Sequence, residues 1–258
     1  MTGFAPADRV LVSPRHLAGG GLDGLGHVLG PLIHLFGWHR DHDTRTGHVL
    51  LDSPCHSLFV DCTPSSPDGI WWRISHHEPY WEAHFSARTP TEAIAAVTQA
   101  LPQFLGDDRH AERIPVTTSS LGQIADLNGW KMASDGHATA FASADGYCAL
   151  THVPDAEIRW RVRHSLRDAP LTDWTATFTR AAPTRLVAQF FAHLTSTIPV
   201  ERVFGDLPVL VRHDSHAVIT PVRDAAVNPH VHHTVVQAAH AHQPPSPARR
   251  TPTASGRR

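Results

Sequence analysis

The chain has 258 residues, enough for one large or two small domains with a true core, since 41% of them are hydrophobic. Its formal net charge is −2, and four of its 22 basic residues (Arg249, Arg250, Arg257 and Arg258) stand in the last sixteen positions, where no acid occurs. The other 18 face 24 acids, which speaks against a body that grips duplex nucleic acid through bulk positive charge and leaves a local basic face open. All but one of the basic residues are arginine; the exception is Lys131.

No run approaches the ~20 apolar residues a membrane span needs, and MTGFAPADRVLV at the start lacks a basic stretch followed by a long apolar one. The three cysteines (Cys55, Cys62 and Cys148) form no Cys-x-x-Cys pair. A reduced, cytoplasmic protein without a membrane partner is expected.

Residues 1–21 are a lead-in segment ending in Gly19-Gly20-Gly21. Leu22, Leu25, Val28, Leu29, Leu32 and Phe36 then recur near helical spacing, and Pro31 with three glycines predicts a short or broken helix. Strands are expected over 47–52 and 56–62 around a Ser53-Pro54 turn, with a shorter one starting at Trp38. After the PSSPDG loop come strands over 70–76 and 80–87. Thr89, Pro90 and Glu92 read as cap, first helical position and capping box of a helix to Leu101, with Ala93, Ile94, Val97, Ala100 and Leu101 as its buried stripe.

The order then repeats. A helix is expected over 121–127, and strands over 138–143 and 147–152 around Asp145-Gly146. Strands over 157–164 and 173–180 follow, then a helix over 183–194 burying Leu186, Val187, Phe190 and Leu194. Residues 207–211 and 217–222 read as one last hairpin. From about Ala225 an Ala, His, Pro and Arg composition predicts disorder.

The repetition extends to identities. YWEAHFSARTPTEAIAAVTQAL (80–101) and DWTATFTRAAPTRLVAQFFAHL (173–194) match at Trp81/Trp174, Phe85/Phe178, Pro90/Pro183 and Leu101/Leu194, each 93 positions apart. Gly37-Trp38 answers Gly129-Trp130, and Trp72-Arg73 answers Trp160-Arg161. Drift of the offset between fixed elements is what loop-length change in two copies of one unit produces. The expected class is therefore α+β. Two tandem repeats (22–105 and 116–199) would each be a four-stranded antiparallel meander closed by one helix, related by a pseudo-twofold. A hairpin (200–224) and a His/Pro/Arg-rich tail (225–258) would follow.

Alternation sorts the strands into two faces. Trp72, Ile74, Trp81, Ala83 and Phe85 should meet the helix in the first repeat, and Ile158, Trp160, Val162, Trp174, Ala176 and Phe178 in the second. Outward stand Trp71, Arg73, Ser75, Glu82, His84 and Ser86, then Arg159, Arg161, Arg163, Thr175, Thr177 and Thr179. Arginines with hydroxyls and one exposed aromatic suit single-stranded nucleic acid, charge following phosphates and Trp71 stacking a base. Trp71, Arg73, Arg159, Arg161 and Arg163 are the candidate contacts. The bland alternative is a solvated face, or a surface on which the two repeats pair with each other; the second reading is a protein-interaction scaffold that uses the open sheet to dimerise.

Of the 22 histidines, His230, His232 and His233 form the densest tract; His-x-His places two imidazoles on one side of an extended chain, but no acid or thiol follows Asp224 to complete a metal site. His76-His77 and His39 to His42 are expected at strand ends or turns. No Gly-x-Ser-x-Gly elbow and no phosphate loop occurs, and Gly19 to Gly21 follows no clear strand. No cofactor and no catalytic residue is assigned; an enzyme of unrecognised type is the third reading.

VSPRHLAGGG (12–21), a Gly-Trp, a Trp-Trp-Arg and Tyr-Trp-x-Ala-x-Phe-x-x-Arg-Thr-Pro, with a weaker second copy, resemble domain of unknown function 317 of Streptomyces and related actinobacteria. The resemblance spans about Val12 to Pro199. The second copy departs at Arg180-Ala-Ala-Pro183. It implies no activity, so no residue role carries over. The element order is also similar in outline to the PUR-type and Whirly nucleic-acid-binding folds, which is analogy of order alone.

Overall fold

The computed structural model describes residues 3–20, 24–166 and 173–222. The expected disordered tail and the histidines His230, His232 and His233 lie outside them, as does Leu22.

The larger sheet has ten strands. β2 (His39–Asp43), β3 (His48–Asp52), β4 (Leu58–Cys62), β5 (Ile70–His77) and β6 (Tyr80–Ser86) form one half; β7 (Lys131–Ser134), β8 (Thr139–Ala142), β9 (Cys148–His152), β10 (Ile158–His164) and β11 (Trp174–Thr179) form the other. The strand order is β2-β3-β4-β5-β6-β11-β10-β9-β8-β7. Each half runs up and down in chain order, and the two last strands meet in the middle, antiparallel like every other pair.

Each half contains five strands; the outer one of the first half fits the short strand expected from Trp38, whereas its counterpart in the second half was not expected. The outermost strand, His39–Asp43 or Lys131–Ser134, is exposed along its whole length. Fully polar or short edge segments carry no alternation signal, because neither of their sides is buried. The His39 to His42 tract accordingly lies in a strand, not at a turn.

α2 (Leu25–His34) and α3 (Thr91–Phe104) accompany the first half; α4 (Leu121–Leu127) and α5 (Thr184–Thr195) accompany the second. Their apolar stripes and the inward side chains of all ten strands except the two outermost belong to one core. Among its fully buried members are Trp174, Phe85, Phe178, Phe190 and Phe191, each contributing roughly 1.5–3 kcal/mol by leaving water. The core crosses the midline: Phe85 lies 5.6 Å, edge to face, from Phe178 and 5.5 Å from Phe190.

Two local expectations are corrected. Pro90 is itself the cap position of α3, with no side-chain cap bond. Thr89 donates to the Thr175 carbonyl at 3.1 Å instead, tying the two halves together, and Glu92 pairs with Arg202. The capping box occurs at α4, where Ser120 and Gln123 bond reciprocally.

The lead-in is no loose entrance. β1 (Arg9–Ser13) is the central strand of a second sheet, ordered β12-β1-β13, between β12 (Val200–Val203) and β13 (Val218–Pro221). The expected hairpin of 207–211 with 217–222 does not form. A 3-10 turn (Phe204–Asp206) and a short helix, α6 (Val209–His213), stand between strands that each pair with β1 rather than with one another. Val10 and Val12, both fully buried, mark the inward side of β1.

Candidate functional site

The helices cover one side of the ten-stranded sheet and leave the other open. Rows of directly paired residues define it. One row runs Asp41, Leu50, Asp61, Arg73, His84, Thr177, Arg161, Thr151, Ala140, Ala133. A second carries Thr175, Arg163, Ala149, Ala142 and Lys131 across the second half.

The midline pairing is short, Ala83 with Phe178, His84 with Thr177 and Phe85 with Ala176. Hydroxyls finish it at both ends: Glu82 N–H donates to Thr179 Oγ1 at 2.8 Å, and Thr175 N–H to Ser86 Oγ at 2.9 Å.

The five expected contacts fall into two groups. Arg159, Arg161 and Arg163 share β10; Trp71 and Arg73 share β5; β6 and β11 lie between, a separation of roughly 14 Å at the usual strand spacing. Trp71 and Arg159 are each the extra residue where the register of their strand shifts, between Ile70 and Trp72 and between Ile158 and Trp160.

Trp71 is not the exposed platform expected. It is half-buried and packs against the main core. A bulge turns the extra residue away from strict alternation, so the two-residue period misassigns it. Arg73 is not a free cation either. It forms an ion pair with Asp68 in the loop before β5. The Asp68 carboxyl is held below its ordinary value by the Ile70 N–H, the Ser66 hydroxyl and Arg73. Arg159 donates to the Pro154 carbonyl at 3.1 Å. Arg161 and Arg163 are exposed on the open side, and no Asp or Glu occurs in any of the five strands of their half.

The first half is the reverse. Asp41, Asp43, Asp52, Asp61 and Glu82 stand on its open side against Arg73 alone among lysines and arginines. His48 lies 3.1 Å from Asp61, His56 2.6 Å from Asp52 and His84 3.1 Å from Glu82. Burial lowers the His84 pKa even with Glu82 beside it.

Two further clusters escaped sequence reading. His16, from α1 (Arg15–Ala18), is inserted beside the second half, its Nε2 2.7 Å from Asp145 Oδ2 with both side chains buried. Ser143 Oγ and the Tyr147 N–H also donate to Asp145, at 2.5 and 2.9 Å. Burial alone would raise the Asp145 carboxyl; His16 and these donors outweigh it and hold the group far below the carboxylate range. Trp130 meets the His16 ring edge-on at 5.9 Å, and Trp174 Nε1 donates to the His16 carbonyl at 3.1 Å.

The second cluster lines a cleft of about 840 Å³ beside α3. There Arg202 makes two 2.7 Å bonds to Glu92 and also reaches the Gly19 carbonyl at 3.0 Å. Arg15 donates to the carbonyls of Ile198 and His193 at 3.0 and 2.9 Å. Its guanidinium pKa is lowered by burial, with Glu92 opposing and Arg202 adding to the fall. These groups satisfy one another and tie the lead-in and β12 to α3 and α5. Both clusters join residues more than 100 positions apart, which no local pattern encodes; the only sequence signal was the VSPRHLAGGG stretch that holds Arg15 and His16.

Among the described residues no group of three or more His, Cys, Asp or Glu side chains could hold a metal ion, and no helix is long and apolar enough to cross a membrane. Cys62 and Cys148 are buried and Cys55 is exposed. Burial pushes the Cys62 thiol up to about 12, while hydrogen bonds from Ser57 and Ser53 lower that of Cys55.

The fold and its face define an α+β protein built around one antiparallel sheet with a helical side and an open side. The model of the SPDY domain, domain of unknown function DUF317, matches it twice, over residues 52–103 and 142–200. The two matched segments agree with the two copies of that family's pattern that the sequence resembles. No curated protein and no solved structure matches the chain.

Proposed function

We propose that this is a binding module, not a catalyst, and that the open side of its second half takes a single-stranded nucleic acid along Arg159, Arg161 and Arg163. The two halves form one platform related by a local pseudo-twofold through the His84–Thr177 pair. The offset of 93 sends Ala83 to Ala176 and Phe85 to Phe178, so the register maps onto itself. What carries the reading is the unopposed Arg161 and Arg163, flanked by Thr175, Thr177 and Thr151 on neighbouring strands. Cations beside hydroxyls recognise phosphate oxygens, and an open sheet accommodates an extended strand.

With Trp71 half-buried and the first half acidic, recognition rests on the backbone, without a stacking aromatic. Affinity should therefore be modest, indifferent to sequence and strongly salt-dependent. Three phosphate contacts predict a log–log salt slope of about −2. The test is titration of a labelled single-stranded oligonucleotide at several salt concentrations. Replacing Arg159, Arg161 and Arg163 by Ala should weaken binding at least tenfold and flatten the slope; unchanged affinity rejects the site.

A further inference from the structure

We propose that the open side of the ten-stranded sheet is also self-complementary, and that a second copy of this chain docks on it face to face, acidic half on basic half.

The charge on this side is divided by the midline. In the first half Asp41, Asp43, Asp52, Asp61 and Glu82 point outward, and Arg73 is neutralised by Asp68. In the second half Lys131, Arg161 and Arg163 stand on this side without an acid in the same strands. The sorting here fits an isologous partner.

Symmetry selects the arrangement. A twofold axis lying in the interface and parallel to the strands places each acidic half on the partner's basic half, twice over, and closes the pair. The other in-plane axis, perpendicular to the strands, stacks like on like and is repelled. Side-chain sizes agree with the first choice. Leu50 and Phe59 are the bulky apolar residues of the acidic half; Ala133, Ala140, Ala142 and Ala149 make the outer part of the basic half low and flat.

The area suffices. Ten strands at about 4.8 Å spacing and about five residues long cover roughly 750–800 Å² in projection, close to the ~800 Å² per partner of a stable complex. Sheets stacked on such faces pack about 10 Å apart, within reach of arginine and carboxylate side chains from opposite copies. The same arginines would then be masked from a polyanion, so that the acidic half competes with nucleic acid.

The test is sedimentation of the full chain at pH 8, where an ordinary imidazole is uncharged, with no nucleic acid present. The wild type should sediment as a dimer at low salt and as a monomer at high salt. Arg161→Glu with Arg163→Glu should give a monomer, and so should Asp61→Arg with Glu82→Arg. An equimolar mixture of the two variants should recover the dimer mass, because each half then meets an opposite charge. A wild type that stays monomeric at low salt, a dimer that survives either variant, or a mixture that stays monomeric overturns the proposal. Unfolding transitions of both variants confirm that they fold. Failure here leaves the oligonucleotide titration untouched, and failure there leaves the sedimentation result standing.

Discussion

The turn between β3 and β4 and the turn between β8 and β9 are built on the same bonds but lead different lives. In both, a serine hydroxyl accepts the N–H five residues on: Ser53 from Leu58 at 3.1 Å, Ser143 from Cys148 at 3.0 Å. In both, the fourth residue is left-handed, His56 at φ 57° and Gly146 at φ 76°. The third residue differs. In the first half it is Cys55, exposed; in the second it is Asp145, buried against His16. His16 of the lead-in meets the turn of the second copy only, where Asp145 offers a carboxylate at the position that Cys55 holds in the first. The two turns keep one bonding pattern and differ in the side chain that meets the lead-in. The open face shows the same divergence in charge: acids accumulate on one copy and arginines on the other, while the inward tryptophans and phenylalanines stay matched.

The sharpest break of this comparison is Asp145→Ala. It strands a buried His16 and removes the acceptor of the Ser143 hydroxyl and of the Tyr147 N–H, so a cost of about 3–5 kcal/mol is expected. Cys55→Ala, the matching change in the other turn, should stay within about 0.5 kcal/mol. Denaturant midpoints of the two variants, at equal slopes, test the asymmetry.

The pH profile sharpens it next. A carboxyl whose folded pKa is depressed adds stability that is present above its unfolded value and is lost as pH falls toward the folded one. Asp145 is such a group. Stability should therefore decline as pH drops below about 4, the ordinary carboxylate value, and the decline should be shallower in Asp145→Asn. Equal slopes in the two proteins would remove Asp145 from the account.

The left-handed position gives a smaller and opposite pair of effects. A Cβ at Gly146 would meet no atom within 4 Å, so Gly146→Ala tests conformation alone and should cost about 1–2 kcal/mol. His56→Gly relieves that strain but loses the Asp52 contact, and should change stability by less than about 1 kcal/mol. The thermal midpoint reads both.

The smallest effect is chemical. In the native protein a thiol reagent should label Cys55 alone, because its exposed thiol accepts hydroxyl hydrogen bonds that favour the thiolate. Cys62 and Cys148 should react only on unfolding. Mass spectrometry before and after denaturant shows the order.

Much of the scaffold was legible along the chain. Wherever one side of a strand is buried, alternation marks it, as with Ile158, Trp160 and Val162. Strands without a buried side, His39–Asp43 and Lys131–Ser134, gave little signal for the same reason. Trp71 was misread because a bulge breaks the period of two at that residue. For the candidate face, the sequence named the arginines of β10 but not the loop acid that neutralises Arg73.

By itself the sequence determined the duplication, the inward and outward sides of the long strands and the position of the two closing helices. These depend on periodicities of a few residues, set by backbone geometry. Only the tertiary structure decided that β6 meets β11 and merges the copies into one sheet, that the lead-in becomes a central strand, that His16 reaches Asp145, and that the open face divides into an acidic and a basic half. Those outcomes depend on contacts between residues far apart in the chain, whose energies exist only once the intervening segments are folded.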